Sequence, residues 1–430
     1  MTRTLRWSIA ALALLISALA PPLNAQEPAQ GVRIGLTYRA GSRPGLYVLP
    51  MRGTYADSIR AILARDLDFG DRITVIAPDS GPPPTGTLNY ALYGALGAAA
   101  VLQLSENVGG GISVTLHEVG AARVLQKKEY VIDAEPLSSA WRLGLHAISD
   151  EVERWVTGVP GIAATRILYV RGGSIWQVDS DGANARPIEG LGQVISPAWH
   201  PQGASIAYTL VADDGMHVRV RDLKSGVHRE ISFGEGSTFS PNFSPDGRSI
   251  AVASGVDGTD IWIFPLVVGE GPVRVTVGRG SESDSPSFAP GGRRLAFTSG
   301  RLGRPEIYIT DADGANPQWL TTTGFGDQSY RSNPAWSPDG RSVAFQTQIE
   351  GRFQVATINL RDRSVKQHTI EGVNEQPSWA PDGRHLVFTS SRGGVKQIWV
   401  LDTESGRLRQ VTSGGGARMG AWSPRLDPSK

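Results

Sequence analysis

One short phrase recurs six times in the second half of the chain. It runs Trp199-His-Pro-Gln-Gly203, Phe243-Ser-Pro-Asp-Gly247, Phe288-Ala-Pro-Gly-Gly292, Trp336-Ser-Pro-Asp-Gly340, Trp379-Ala-Pro-Asp-Gly383 and a truncated Trp422-Ser-Pro424. The aromatic residues follow one another at steps of 44, 45, 48, 43 and 43 residues. A period in the low forties is the length of one four-stranded propeller blade. A single blade cannot bury both of its faces, so neighbours must stack around an axis. The repeat sets the expected architecture of everything after about residue 164, and it points to a surface that binds rather than a pocket that reacts.

The phrase has a mechanical meaning. The aromatic residue ends a strand, Pro fixes φ near −65° in the turn, Asp favours the turn, and Gly supplies the positive φ that closes it. A second strand follows at once, over Ser249–Ala253, Arg294–Thr298, Ser342–Gln346 and His385–Thr389. A third is expected over Asp260–Phe264, Glu306–Thr310, Gln354–Leu360 and Gln397–Leu401, and a polar outer strand over Val273–Val277 and Leu408–Thr412. Polarity on that outer edge discourages pairing with other chains. The segments Arg166–Val170, Ile175–Asp179 and Ala185–Glu189 have no phrase before them, and Trp422-Ser-Pro424 has no strands after it. The simplest solution is that Met419–Ser423 completes the blade begun at Arg166, giving six blades and a closed ring.

The first 165 residues have a different character. Arg3 and Arg6 precede the apolar run Ile9–Ala20, too short to span a bilayer as a mature helix, so residues 1–25 are expected to be a signal peptide cleaved after Ala25. Residues 26–160 are expected to form a small α/β domain, and residues 165–430 the propeller. Strands are expected at Val32–Tyr38, Leu46–Pro50, Ile73–Ala77, Ala99–Leu104, Ile112–Glu118 and Val124–Asp133. Thr54 is placed to cap a helix whose face is Ile59, Ile62, Leu63 and Leu67. A second helix is expected over Leu88–Ala95. Pro136 opens a third, with Trp141, Leu145, Ile148, Val152 and Val156 facing inward and Gly158 ending it.

Composition closes off several functions. The chain of 430 residues carries a net charge of +1, with no basic stripe, which argues against nucleic-acid binding. It has no Cys, so thiolate catalysis, Cys-based metal sites and disulfides are excluded. The seven His are scattered, and none pairs at the i, i+4 spacing of a helical zinc site. His146 is expected to be a hydrogen-bonded interdomain residue. The pattern G-x-S-x-G is absent, and the closest run, Gly203-Ala-Ser-Ile-Ala207, falls in a hairpin of the ring. Asp179-Ser-Asp181-Gly and Asp311-Ala-Asp313-Gly begin like calcium loops, but their fifth positions are Ala and their twelfth are Gly190 and Thr322. They are expected to be tight turns between the third and fourth strands of a blade. Trp199, Trp336, Trp379 and Trp422 recur once per blade and are expected to be core. No catalytic residue, metal or cofactor is expected.

Several passages together resemble the TolB family of periplasmic propeller proteins. They are Val32-Arg33-Ile34 with Arg43-Pro44 and Val48-Leu-Pro50, Ile59…Ile62-Leu-Ala64-Arg-Asp66-Leu67, the junction Arg142…His146…Ser149-Asp-Glu-Val152…Thr157-Gly158…Thr165-Arg-Ile-Leu-Tyr169, the blade phrase with its WD40-like spacing, and Ala421-Trp-Ser-Pro424. The junction passage is the most specific of these. Thr37-Tyr38-Arg39 departs from the more acidic stretch usual in the family, and the phrases at Trp199 and Phe288 lack the Asp.

The resemblance implies a periplasmic adaptor of the Tol-Pal system, a monomer without membrane insertion. Its implied partners are a Pal-like peptidoglycan-associated lipoprotein and a TolA-like inner-membrane protein, and its implied roles are envelope integrity, constriction at division and an association with protein import. The TolA-like partner would take Val32, Arg33, Ile34, Arg43 and Pro44. The Pal-like partner would dock at the propeller mouth. Ser237–Pro241, Glu282–Pro286, Ser332–Pro334 and Asn374–Pro377 are expected to be the loops that return to each inner strand there. They offer Ser237, Ser240, Asp284, Ser285, Asn333, Glu375 and Gln376 as the contact set. A polar, partly acidic ring suits a protruding, partly basic partner. The alternative is a stand-alone envelope propeller that binds carbohydrate or peptide.

Overall fold

The computed structural model describes residues 43–78, 83–84, 86–107, 111–231, 236–256, 258–267, 269–277, 282–321 and 330–429. The signal-peptide segment and Val32–Tyr38 lie outside the described residues. Among the described residues, no helix is long and apolar enough to cross a membrane.

The first part is a mixed sheet with helices. Strands β1 (Gly45–Val48), β2 (Thr74–Ile76), β3 (Ala100–Glu106), β4 (Ile112–Glu118) and β5 (Arg123–Tyr130) take the order β2-β1-β3-β4-β5. β1 pairs parallel with β2 and β3, and the rest of the sheet is antiparallel. Helices α1 (Ala56–Phe69) and α3 (Ser139–Thr157) cover one face, while α2 (Tyr90–Ala95) is short. The expected apolar faces are both buried: Ile59, Ile62, Leu63 and Leu67 of α1 meet Trp141, Leu145, Ile148, Val152 and Val156 of α3 over Leu46, Leu102 and Val114.

The helix ends are set by local chemistry, with two corrections: α3 opens at a Ser138 cap rather than at Pro136, and the cap of α1 is not Thr54. Thr54 does not cap α1. Instead the carboxylate of Glu106, at the end of β3, accepts from the Thr54 and Tyr55 amides, each at 3.1 Å. Ser138 caps α3 by accepting from the Trp141 amide at 3.1 Å. Gly158 ends it at φ 82°, its amide 2.8 Å from the Arg154 carbonyl. A Cβ at Gly158 would meet nothing within 4 Å, so Gly158→Ala isolates the backbone cost of this left-handed turn. We expect a loss of about 1 kcal/mol, read as a lower urea midpoint with an unchanged slope.

The second part is a ring of six four-stranded sheets. Blade 1 is built from Arg418–Trp422, Arg166–Arg171, Ser174–Asp179 and Arg186–Pro187, in that spatial order, so both ends of the ring share one sheet. The inner strands of blades 2 to 6 are Val194–Trp199, Ser237–Phe243, Ser283–Phe288, Arg331–Trp336 and Asn374–Trp379. Outer strands are short, two residues at Val273–Arg274 and three at Leu408–Gln410. Trp199, Trp336 and Trp422 are buried between blades and Trp379 is half-buried.

Candidate functional site

Each inner strand runs toward its phrase turn, so all six begin on one face of the ring and end on the other. The structure corrects the expectation of return loops. Ser237–Pro241, Pro286, Pro334 and Pro377 lie inside the inner strands, and each strand carries a register shift in its pairing. At that shift one residue turns left-handed: Ser196, Ser240, Ser285, Asn333, Gln376 and Met419, with φ between 49° and 58°. A β-bulge locally twists a strand and re-aims its side chains. Pro follows the left-handed residue in blades 2 to 6, and Gly420 follows it in blade 1. Pro is tolerated because the free edge of an inner strand borders the channel, where no ladder donor is needed.

The bulges bind each blade to the previous one. The Ser240 and Asn333 amides donate to Thr209 Oγ1 and Thr298 Oγ1, both at 3.2 Å. The Gln376 amide donates to Gln346 Oε1 at 2.9 Å and the Met419 amide to Thr389 Oγ1 at 3.0 Å. Three residues on, Phe288 N reaches Asn242 Oδ1 at 2.9 Å and Trp336 N reaches Ser287 Oγ at 2.9 Å. These bonds use up channel-facing donors. The channel they enclose is a cavity of about 510 Å³ whose wall is small polar, proline and aromatic side chains, with no charged residue.

The expected contact residues are brought together only in part. Ser240, Ser285, Asn333 and Gln376 line the channel wall. Ser237, Asp284 and Glu375 sit nearer the start of their inner strands and do not line it. Burial pushes the Asp284 carboxyl above its ordinary value, against bonds from Ser285 and Thr298. Glu375 is paired with Lys396 at 2.5 Å. The rim is therefore less negative than the sequence suggests. It is also more apolar: Val256, Leu302 and Val395, in turns between second and third strands, and Ile370, before an inner strand, are all exposed on this face. Val32, Arg33 and Ile34 lie outside the described residues. Arg43 lies 3.6 Å from Asp71 and 3.8 Å from Asp402, and the Pro44 carbonyl accepts from the Thr74 amide at 3.0 Å.

The α/β layer rests on the opposite face, against turns of blades 1 and 6. One anchor is Asp181, in the blade 1 turn, which takes Arg65 of α1 and Arg142 of α3, each at 2.5 Å. The expected calcium-like start is thus a tight turn, with Gly182 N bonded to Asp179 O at 2.8 Å and Asn184 Nδ2 to Asp179 Oδ2 at 2.6 Å. His146 differs from expectation. Its Nδ1 lies 2.7 Å from Asp66 Oδ2, a bond within the α/β layer, and Ser149 Oγ donates to the same oxygen at 2.8 Å.

The second anchor was not anticipated. His385 of blade 6 is fully buried, with Nδ1 2.8 Å from Asp382 Oδ2 and Nε2 3.3 Å from Asp71 Oδ2, across the junction. Arg384 donates to Asp402 Oδ1 at 2.7 Å and to the Asp71 carbonyl at 3.0 Å. Arg407 reaches Asp71 Oδ1 at 3.1 Å and Asp68 Oδ2 at 2.6 Å, and Arg72 reaches Asp382 at 3.2 Å. One signal was available: His385 opens a strand where Ser205, Ser249 and Ser342 stand in other blades. Two clusters, Asp66-His146-Asp181 and Asp71-His385-Asp402, have donor atoms within 4.8 Å of one another. Arg65 and Arg142 already occupy the cation positions of the first, and Arg384 and Arg407 those of the second, so both are ion-pair networks in character.

Comparison with known proteins agrees with this architecture. A TolB protein of the Tol-Pal system from Francisella tularensis subsp. holarctica is 32% identical over 248 residues, 54% of this chain and 56% of that protein. The counterpart from Haemophilus influenzae is 31% identical over 217 residues, 46% of this chain and 49% of that protein. The chain thus spans about half the length of the curated relatives it matches. The crystal structure of TolB from Acinetobacter baumannii superposes with a TM-score of 0.78 at 23% identity, covering 89% of this chain and 97% of that one, which supports the fold. Residues 153–332 and 327–428 match the TolB β-propeller domain, and with six blades closed through the last strand, the chain belongs to the TolB β-propeller family.

Proposed function

We propose that the protein is a non-enzymatic periplasmic adaptor of the Tol-Pal system. Residues 1–25 act as the export signal, 26–160 as the α/β domain and 165–430 as the propeller. A Pal-like lipoprotein docks at the propeller mouth, through Ser237, Ser240, Asp284, Ser285, Asn333, Glu375 and Gln376. A TolA-like inner-membrane protein takes the N-terminal segment at Val32, Arg33, Ile34, Arg43 and Pro44. The adaptor supports outer-membrane integrity and constriction at division, and is associated with protein import.

The observation that carries this reading is the ring of left-handed residues at the channel wall. Backbone strain repeated in every blade is the kind that accompanies a functional surface. Val256, Leu302, Ile370 and Val395, exposed on the face where the inner strands begin, add what a protein partner needs, since interface cores are apolar and their rims polar.

Titration of the exported protein with the soluble domain of a Pal-like lipoprotein tests it. Ile370→Asp places a charge in the apolar rim, and Glu375→Arg removes the pairing with Lys396 and reverses a charge. Each is expected to weaken binding about tenfold or more, the second mostly through a slower and more salt-dependent association. Unchanged affinity in both variants would place the docking site elsewhere.

A further inference from the structure

We propose that the junction between the α/β layer and the propeller is a proton-operated latch: protonated His385 bridges Asp71 of the layer to Asp382 of blade 6, and loss of protons from this junction lets the two parts separate. The bridge spans the junction directly, with one ring nitrogen on each carboxylate and the imidazole fully buried. A doubly charged acceptor pair on both ring nitrogens requires both to be donors, which is the imidazolium form.

Two more groups share the same space. Asp150 and Glu153 of α3 are both buried. Asp150 accepts from the amides of Ala163 and Ala164, in the linker to the propeller, at 2.6 and 3.0 Å. Glu153 is packed against bare backbone on two sides. A Cβ at Gly70 would lie 2.2 Å from its Oε2, and one at Gly161 would lie 2.8 Å from it. Glycine at the end of α1 and glycine in the linker are what allow this carboxyl to be enclosed.

The charged surroundings are defined. From the α/β layer, Asp66, Asp68, Asp71 and Arg72 face the junction, with Arg43 ahead of β1. From blade 6 come Asp382, Arg384, Asp402, Arg407 and Arg409, and Arg425 reaches back to the Gly161 carbonyl at 2.7 Å. Arg409 stacks 4.4 Å from the Phe69 ring, and burial pulls its value down to about 10.

The direction follows from these contacts. Burial lowers His385, but its bonds to Asp382 and Asp71 outweigh burial and leave it above the ordinary imidazole value. Burial pushes Asp150 up to about 7, against its two amide bonds, and Glu153 up to about 8, against Arg72. A raised imidazole stabilises the closed junction below its free value, and that contribution is lost as pH rises through the closed-state value. A raised carboxyl is a proton held only when the junction is closed, and its contribution is lost in the same direction. All three groups therefore favour closure at lower pH: the two carboxyls lose their contributions from the ordinary carboxylate range up to about 7 and about 8, and the imidazole loses its contribution above its ordinary value.

The chain has no Cys, so labels can be placed uniquely. Spin labels at Ala121→Cys and Val365→Cys, both exposed, report the separation of the two parts by pulsed electron resonance. At about pH 6 a single short distance is expected. As pH rises from about 6 to about 8 a longer population should grow, by up to about tenfold in ratio per pH unit for each proton released. His385→Gln should open the junction already at about pH 6, and Glu153→Gln, held neutral, should shift the opening to higher pH. Circular dichroism should show the ring folded throughout. Identical distances at both pH values in the unsubstituted labelled protein would overturn the latch. So would variants that open at its pH, or a ring that unfolds over the same range.

Discussion

Removing residues 418–430 is expected to unfold the propeller rather than shorten it. Arg418–Trp422 is the inner strand of blade 1, and it pairs with Ile167, Leu168 and Val170. Its loss would open the ring at two places, leaving the free edge of Arg166–Arg171 and removing the wall that blades 2 and 6 pack against. Trp422 is the centre of that wall. It is buried, its indole donates to Thr165 Oγ1 at 2.8 Å, and its amide donates to Ser378 Oγ of blade 6 at 3.3 Å. The residues after it also bind, Leu426 N to the Ala164 carbonyl at 2.7 Å and Arg425 to the linker. Trp422→Ala alone should cost about 3–5 kcal/mol, a large share of the ~5–15 kcal/mol typical of a folded domain. Urea unfolding followed by tryptophan emission and circular dichroism checks both variants. An unchanged midpoint for the truncation would contradict ring closure through this strand.

Closure is legible because the signals for it are local and repeated. Aromatic, Pro and Gly at fixed offsets specify a turn wherever they occur, and five such turns at steps in the forties, with a sixth phrase cut short at Pro424, specify blades. The inner strands were misjudged for the same kind of reason. Ser240-Pro241, Ser285-Pro286, Asn333-Pro334 and Gln376-Pro377 look like loop dipeptides, because Pro withholds a ladder donor and Asn and Ser favour turns. In the ring those donors would face the channel, so the objection to Pro in a strand disappears, and the bulge absorbs the left-handed residue. Only the closed ring creates that exception. The cap of α1 is not legible because Glu106 comes from the central strand β3, 52 residues along the chain from Thr54 and beyond the reach of any local capping pattern. The junction was legible as a passage on α3 but not as chemistry. Asp71 and His385 meet only once α1 and blade 6 are both in place, and the phrase Pro381-Asp-Gly383 looks like a turn and nothing more.

Arg384→Met is expected to destabilise the protein by about 3–5 kcal/mol, because it breaks a buried ion pair from one side. Asp402 is fully buried, and Arg384 supplies its strongest partner, at 2.7 Å to Oδ1 and 2.5 Å to Oδ2. Of the partners that remain, Ser405 Oγ at 2.5 Å from Oδ2 carries no charge, and the exposed Arg43 stands off at 3.8 Å. The same guanidinium also bonds the Asp71 carbonyl, so the loss reaches the α/β layer. Replacing both partners, Arg384→Met with Asp402→Leu, should recover much of that energy, since no buried charge is then left uncompensated. A double variant no better than the single one would show that the lost bond to Asp71, not the stranded carboxylate, sets the cost. Acid gives an independent reading. Burial raises Asp402, yet Arg384 and Ser405 outweigh it and hold the carboxyl below its ordinary range. A lowered carboxyl stabilises the fold above the free value of about 4, and the contribution fades as pH falls toward the folded value. The unsubstituted protein should therefore lose stability below about pH 4, and the double variant, lacking this carboxylate, should lose less over the same range.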